Sequence, residues 1–74
     1  MSKADEMFGK LGYVKIRDDE RFIKYKKFYK NDNIVMDKET KDFIKNFDSE
    51  YWEAVTMEEL QAINEKCREM GWIE

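Results

Sequence analysis

The sequence predicts an α+β domain of two layers: an antiparallel sheet of four strands, connected as a meander, with an N-terminal and a C-terminal helix packed on one face. Three observations lead to it. Apolar residues recur at helical spacing at both ends of the chain and alternate through its middle. The turns between the middle segments are too short for the crossovers that parallel strands need. An amphipathic helix at each end requires something to cover, and the sheet supplies it.

Taking the elements in order, Ser2 with Asp5 three residues on forms a weak capping box, and Ala4, Met7, Phe8 and Leu11 then share one helical face. Gly12 can close this helix in the left-handed conformation, with Tyr13 folding back on Phe8. Gly9 lies inside the helix and costs about 1 kcal/mol against alanine, so the helix depends on docking. From Tyr13 the period becomes two. Val14 and Ile16 fall on one face, and Tyr13, Lys15 and Arg17 on the other. Asp18, Asp19 and Glu20 make a polar turn. Residues 21–29, rich in aromatic and branched side chains, read as the second strand. Ile23 and Tyr25 share a face there, and Phe28 rejoins it only if a β-bulge at Lys26 and Lys27 absorbs one residue.

Residues 30–33, Lys-Asn-Asp-Asn, are turn chemistry. The third strand is placed at 34–37, a turn at 38–41 and the fourth strand at 42–48. Residues 51–55 are either a short fifth strand or an ordered loop. The last helix is bounded most clearly. Thr56 and Glu59 form a capping box, with Val55 and Leu60 as its hydrophobic staple. Gly71 and Trp72 provide the stop, with Trp72 packing on Cys67. Leu60, Ile63, Cys67 and Met70 are its expected apolar stripe.

With 74 residues the chain has room for one domain, spanning 1–74. A domain this short buries only about 60% of the surface its unfolded chain exposes, which leaves a thin margin of stability. Charged residues make up 42% of the chain against roughly 25% in an average soluble protein; the clean periodicities nevertheless argue for a folded state. The single cysteine, Cys67, permits no internal disulfide. No signal-peptide core and no bilayer-spanning apolar run is present, so a cytoplasmic protein without membrane contact is expected. The net charge of −3 is uneven: nine Lys or Arg against five Asp or Glu in residues 1–30 give +4, and five against twelve in residues 31–74 give −7.

No histidine is present, which removes the commonest general base near neutral pH and the commonest zinc ligand. Cys67 lies on the apolar stripe, where a thiol serves as a small hydrophobe and not as a nucleophile. Glu58 and Glu59 suit a helix N-terminus, and the acidic residues around Asp32 and Asp37 lack the glycine and final glutamate of a calcium loop. No enzymatic activity, cofactor or metal is expected. Two surfaces remain. Asp48, Glu50, Tyr51, Trp52 and Glu53, with acidic neighbours on the last helix, combine aromatic anchors with negative charge and suit a protein interface, even a basic groove that normally receives nucleic acid. Their ordinary alternative is that Tyr51 and Trp52 close one end of the core. Tyr13, Lys15, Arg17, Lys24, Lys26 and Lys27, with Phe22 and Phe28, hold the cations and rings of a single-stranded nucleic-acid site. The ordinary alternative is a half-exposed sheet whose lysines keep its outer face soluble and its edges unpaired, and the acidic remainder of the chain opposes a phosphate backbone.

MSKADEMF at the start, IVMD in the middle and TMEELQAINEKCREMGW at the end resemble a group of small proteins encoded by phages and prophages of Gram-positive bacteria. The resemblance covers both termini, with residues 38–52 the least typical part. It implies a genomic setting and no particular residue role. Small phage accessory proteins often bind a host protein, including components of defence systems such as CRISPR effectors. The expectation is therefore a non-enzymatic interaction protein with a host or phage protein as partner. A small nucleic-acid-binding module is the alternative, and the state in solution is left open between monomer and homodimer.

Overall fold

The computed structural model describes residues 2–28, 32–46 and 54–73. Helix α1 spans Lys3–Lys10, strands β1 to β4 span Val14–Asp18, Phe22–Lys27, Asp32–Asp37 and Asp42–Lys45, and helix α2 spans Met57–Glu69. The strands form one antiparallel sheet in the order β1-β2-β3-β4, the expected meander. Both helices lie on one face of it. Phe8 of α1 stacks on Tyr25 of β2 with ring centroids 3.9 Å apart. These two rings form a core with Tyr13, Ile23, Ile34, Met36, Ala62 and Ile63.

Each helix ends as its sequence requires. After α1, Tyr13 N–H donates to the Phe8 carbonyl and Gly12 N–H to that of Gly9, with Gly12 at φ 92°. After α2, Trp72 N–H donates to the Cys67 carbonyl and Gly71 N–H to that of Arg68, with Gly71 at φ 75°. Both are Schellman stops, which satisfy carbonyls the helix leaves unpaired. The Thr56 capping box is complete, its hydroxyl accepting from Glu59 N–H and the Glu59 carboxylate from Thr56 N–H.

The turn chemistry behaves similarly. Asp19 accepts from the backbone N–H of Arg21 and Phe22 to close the first hairpin. Asp37 accepts from those of Glu39 and Thr40 to shape the third turn.

Five expectations need correction, the first being the third strand, which begins at Asp32 and not at Ile34, so that Asp32 and Asn33 pair with Lys27 and Lys26. The register irregularity lies in β1 between Lys15 and Arg17, while β2 and β3 pair without interruption from Phe22 to Lys27. The doubled lysines at 26 and 27 are simply alternate residues of a regular strand, one facing each way. Strand β4 stops at Lys45, because Asn46 turns to φ 57° and uses its side-chain oxygen to accept from Asn33 N–H. Asparagine tolerates that conformation far better than most residues. Leu60 does not join the stripe of α2: it is 43% exposed, and its neighbour Glu59 is buried with Ala62, Ile63 and Lys66. Finally, Tyr13 and Lys15 face the helices and not the solvent side of the sheet. Ala54 and Val55 are not in a strand, and the rest of the possible fifth strand lies outside the described residues.

Candidate interaction surface: the open face of the sheet

Among the described residues no helix lies on the second face of the sheet. Ile23 and Tyr25 in β2, and Ile34 and Met36 in β3, are buried beneath α1 and α2. Their alternates Phe22, Lys24, Lys26 and Val35 therefore point the other way. Pairing extends that face across the sheet: Val14 opposes Lys26, Arg17 opposes Lys24, Val35 opposes both Lys24 and Ile44, and Asp37 opposes both Phe22 and Asp42. Val14 is 55% exposed and Ile44 49% exposed, and Phe22, Val35, Asp37, Asp42 and Ile44 line a shallow cleft. The face is thus apolar at several points. It is basic on β1 and β2, through Arg17, Lys24 and Lys26, and acidic on β3 and β4, through Asp37 and Asp42.

Cations and rings are already associated here. The guanidinium carbons of Arg17 and Arg21 sit 4.8 and 5.2 Å from the Phe22 ring centroid, and Lys26 Nζ lies 5.1 Å from that of Phe28. Phe28 is 63% exposed. The arginines also hold anions: Arg17 Nε is 2.5 Å from Asp19, and Arg21 bridges Asp37 and Glu39. Asp19 consequently sits well below the usual carboxylate range, at about 2, through the Phe22 backbone N–H first and then Arg17.

The sequence-predicted nucleic-acid residues divide between the two faces. Arg17, Lys24 and Lys26 lie on the open side. Tyr13 is 3% exposed and donates its hydroxyl to Glu59 Oε2 at 2.5 Å. Lys15 reaches toward α1 to pair with Asp5 at 3.1 Å and with Asp18 at 3.2 Å. Lys27 caps the Tyr13 ring from 4.7 Å. Three of the six therefore belong to the helix-covered side. The protein-interface residues Asp48, Glu50, Tyr51, Trp52 and Glu53 lie outside the described residues.

Two polar hubs on the covered side join the layers. Glu59 accepts from Tyr13, from Thr56 N–H and from Lys45 Nζ at 2.9 Å, the Lys45 and Glu59 side chains being 6% and 3% exposed. Burial pushes its carboxyl up, but the Tyr13, Thr56 and Lys45 donors outweigh burial and leave it below the ordinary glutamate value. Asp5 accepts from the Tyr25 hydroxyl at 2.5 Å and pairs with Lys15 and, at 3.5 Å, with Lys66. Its carboxyl is likewise lowered, burial being overcome by Tyr25, Lys15 and Lys66. Glu69 of α2 caps α1 directly, accepting from Ser2 Oγ at 2.5 Å and Ala4 N–H at 2.8 Å. Cys67 is half-buried, and burial raises its thiol. Among the described residues no group of three potential ligands is placed to hold a metal ion, and no helix is long and apolar enough to cross a membrane.

No protein-family model, curated protein or solved structure matches the chain.

Sequence reasoning missed both hubs. Glu59 reads only as the capping-box residue of a helix start, yet it is buried under the sheet; Asp5 reads only as the capping partner of Ser2, yet it receives Tyr25, Lys15 and Lys66. Their partners are distant in sequence, so no local spacing announces them. A usable signal does exist for Glu59: as third residue of a capped helix its side chain turns back toward the N-cap, where Lys45 and Tyr13 arrive.

Proposed function

We propose that the chain is a non-enzymatic interaction protein, of the kind phages and prophages encode, that acts in the host cytoplasm by docking its open sheet face on a host protein. A component of a host defence system, such as a CRISPR effector, is one target of this kind. The observation that carries the reading is the open face itself, where Val14, Phe22, Val35 and Ile44 remain accessible beside charges of both signs. Accessible apolar and aromatic side chains rimmed by charge are what protein interfaces use. The described buried ionisable groups, by contrast, are engaged in holding the two layers together.

The test is co-purification from nuclease-treated lysate of the bacterial host, with native chain beside Val14→Asp and Ile44→Asp. One protein recovered in stoichiometric amount by the native chain and lost by both folded variants supports the reading. Equal recovery by the variants contradicts it. A second reading, single-stranded nucleic acid, is favoured by the ring–cation–cation–ring order of Phe22, Lys24 and Lys26 in β2 and Phe28 just after it. It requires salt-sensitive oligonucleotide binding that Lys24→Glu and Lys26→Glu weaken.

A further inference from the structure

We infer that the open sheet face is self-complementary, and that before any partner arrives a second copy of the chain covers it in a two-fold dimer. The inference rests on the reading of this face as the docking surface. Its ground is the placement of charge. Arg17, which also holds Asp19, lies with Lys24 and Lys26 on the β1–β2 half, and Asp37, which also holds Arg21, lies with Asp42 on the β3–β4 half, as the register requires. A two-fold axis lying between two such faces, parallel to the strands, sets β1 and β2 of one copy over β4 and β3 of the other. Basic then meets acidic twice, because every contact in a two-fold interface occurs twice. The other in-plane axis would stack β1 on β1 and oppose like charges.

Apolar residues follow the same division. Val14 and Phe22 of one copy come among Ile44 and Val35 of the other, at the ~10 Å separation of face-packed sheets. Arg17 opposes β4, one pair of residues from Asp42, which is within the reach of an arginine side chain. Four strands about 4.8 Å apart and four to six residues long give a face of roughly 20 by 20 Å, so two faces bury on the order of 1,000 Å². That is the lower bound for a specific interface, and it predicts a dimer that forms and dissociates with concentration.

Charge exchange tests the arrangement. Sedimentation of the native chain from micromolar to millimolar concentration should show the mass rising from 9.1 kDa toward twice that value. Arg17→Glu or Asp42→Lys alone should raise the dissociation constant about tenfold or more, since each places two like-charged contacts in the homodimer. An equimolar mixture of the two variants should recover to within about threefold of the native chain, because both contacts in the mixed dimer are again of opposite sign. Both substitutions are at exposed positions, and circular dichroism verifies that each variant is folded. A mass of 9.1 kDa at every concentration, or a mixture no stronger than its components, overturns the dimer. A monomer whose face is protected by oligonucleotide or by a host protein assigns the face to that occupant and also overturns it. Failure of the docking reading is distinguishable: Ile44→Asp would then leave host-protein capture unchanged while the native chain still dimerised.

Discussion

At Glu59 two carboxylate oxygens serve three donors from three parts of the chain: Tyr13 ahead of β1, Lys45 at the end of β4 and Thr56 at the start of α2. A buried carboxylate is tolerable only because its partners are charged or well aligned. Tyr13→Phe removes one hydrogen bond to a charged acceptor and should cost about 1.5–3 kcal/mol at neutral pH in urea unfolding. Glu59→Ala should cost more, about 3–5 kcal/mol, since it strands the Lys45 charge. The folded-state value of Glu59 lies below the ordinary 4.5, so its contribution is present in full above that value and lost as pH falls through the lower one. The Tyr13→Phe deficit should therefore narrow in acid, and stay constant between about pH 6 and 8, where no side chain other than histidine, absent here, ordinarily titrates. The capping role of this residue is written in TMEE; its burial is not. Hydrophobicity favours Leu60 for the core, but helix rotation is fixed by Ala62, Ile63, Lys66 and Cys67 together, and that set turns Glu59 inward and Leu60 out.

Among the elements, the two helices were the most legible because both of their ends are local chemistry. Ser2, Thr56, Gly12 and Gly71 each satisfy backbone groups within a few residues, and no tertiary information is needed to place them. Two glycine substitutions separate conformation from packing. Gly9 is helical with nothing within 4 Å of an added Cβ, so Gly9→Ala should stabilise by about 0.5–1 kcal/mol. Gly71 has equal space but φ 75°, so Gly71→Ala should destabilise by about 1–2 kcal/mol. Thermal midpoints moving in opposite directions would show this; movement in the same direction would contradict the Schellman stop. The strands were legible as a set and less so in detail. The bulge at Lys15 and Arg17 follows from Lys15 turning toward Asp5 of α1 while Arg17 joins Lys24 on the open face. The bulge puts Lys15 and Arg17 on opposite faces, and a lysine on the covered side of a sheet leaves no trace in an alternating pattern, so strict alternation groups the two together.

Across the whole molecule, charges of the first half of the chain pair with charges of the second in both directions. Arg21 pairs with Asp37 and Glu39, Lys3 with Glu65, and Lys66 and Lys38 return charge to Asp5 and Asp18. The open face itself is basic on one side, through Arg17, Lys24 and Lys26, and acidic on the other, through Asp37 and Asp42. Docking and self-association both depend on that face, and its accessibility can be measured directly. Single cysteines placed at Val14, Ile44, Ile34 and Met36 in a Cys67→Ala background can be titrated with a thiol reagent at high dilution. The structure predicts rapid reaction at Val14 and Ile44, and reaction only through unfolding at Ile34 and Met36. Slow, unfolding-limited labelling at Val14 and Ile44 with fast labelling at Ile34 and Met36 would put the helices on the other face and contradict the account.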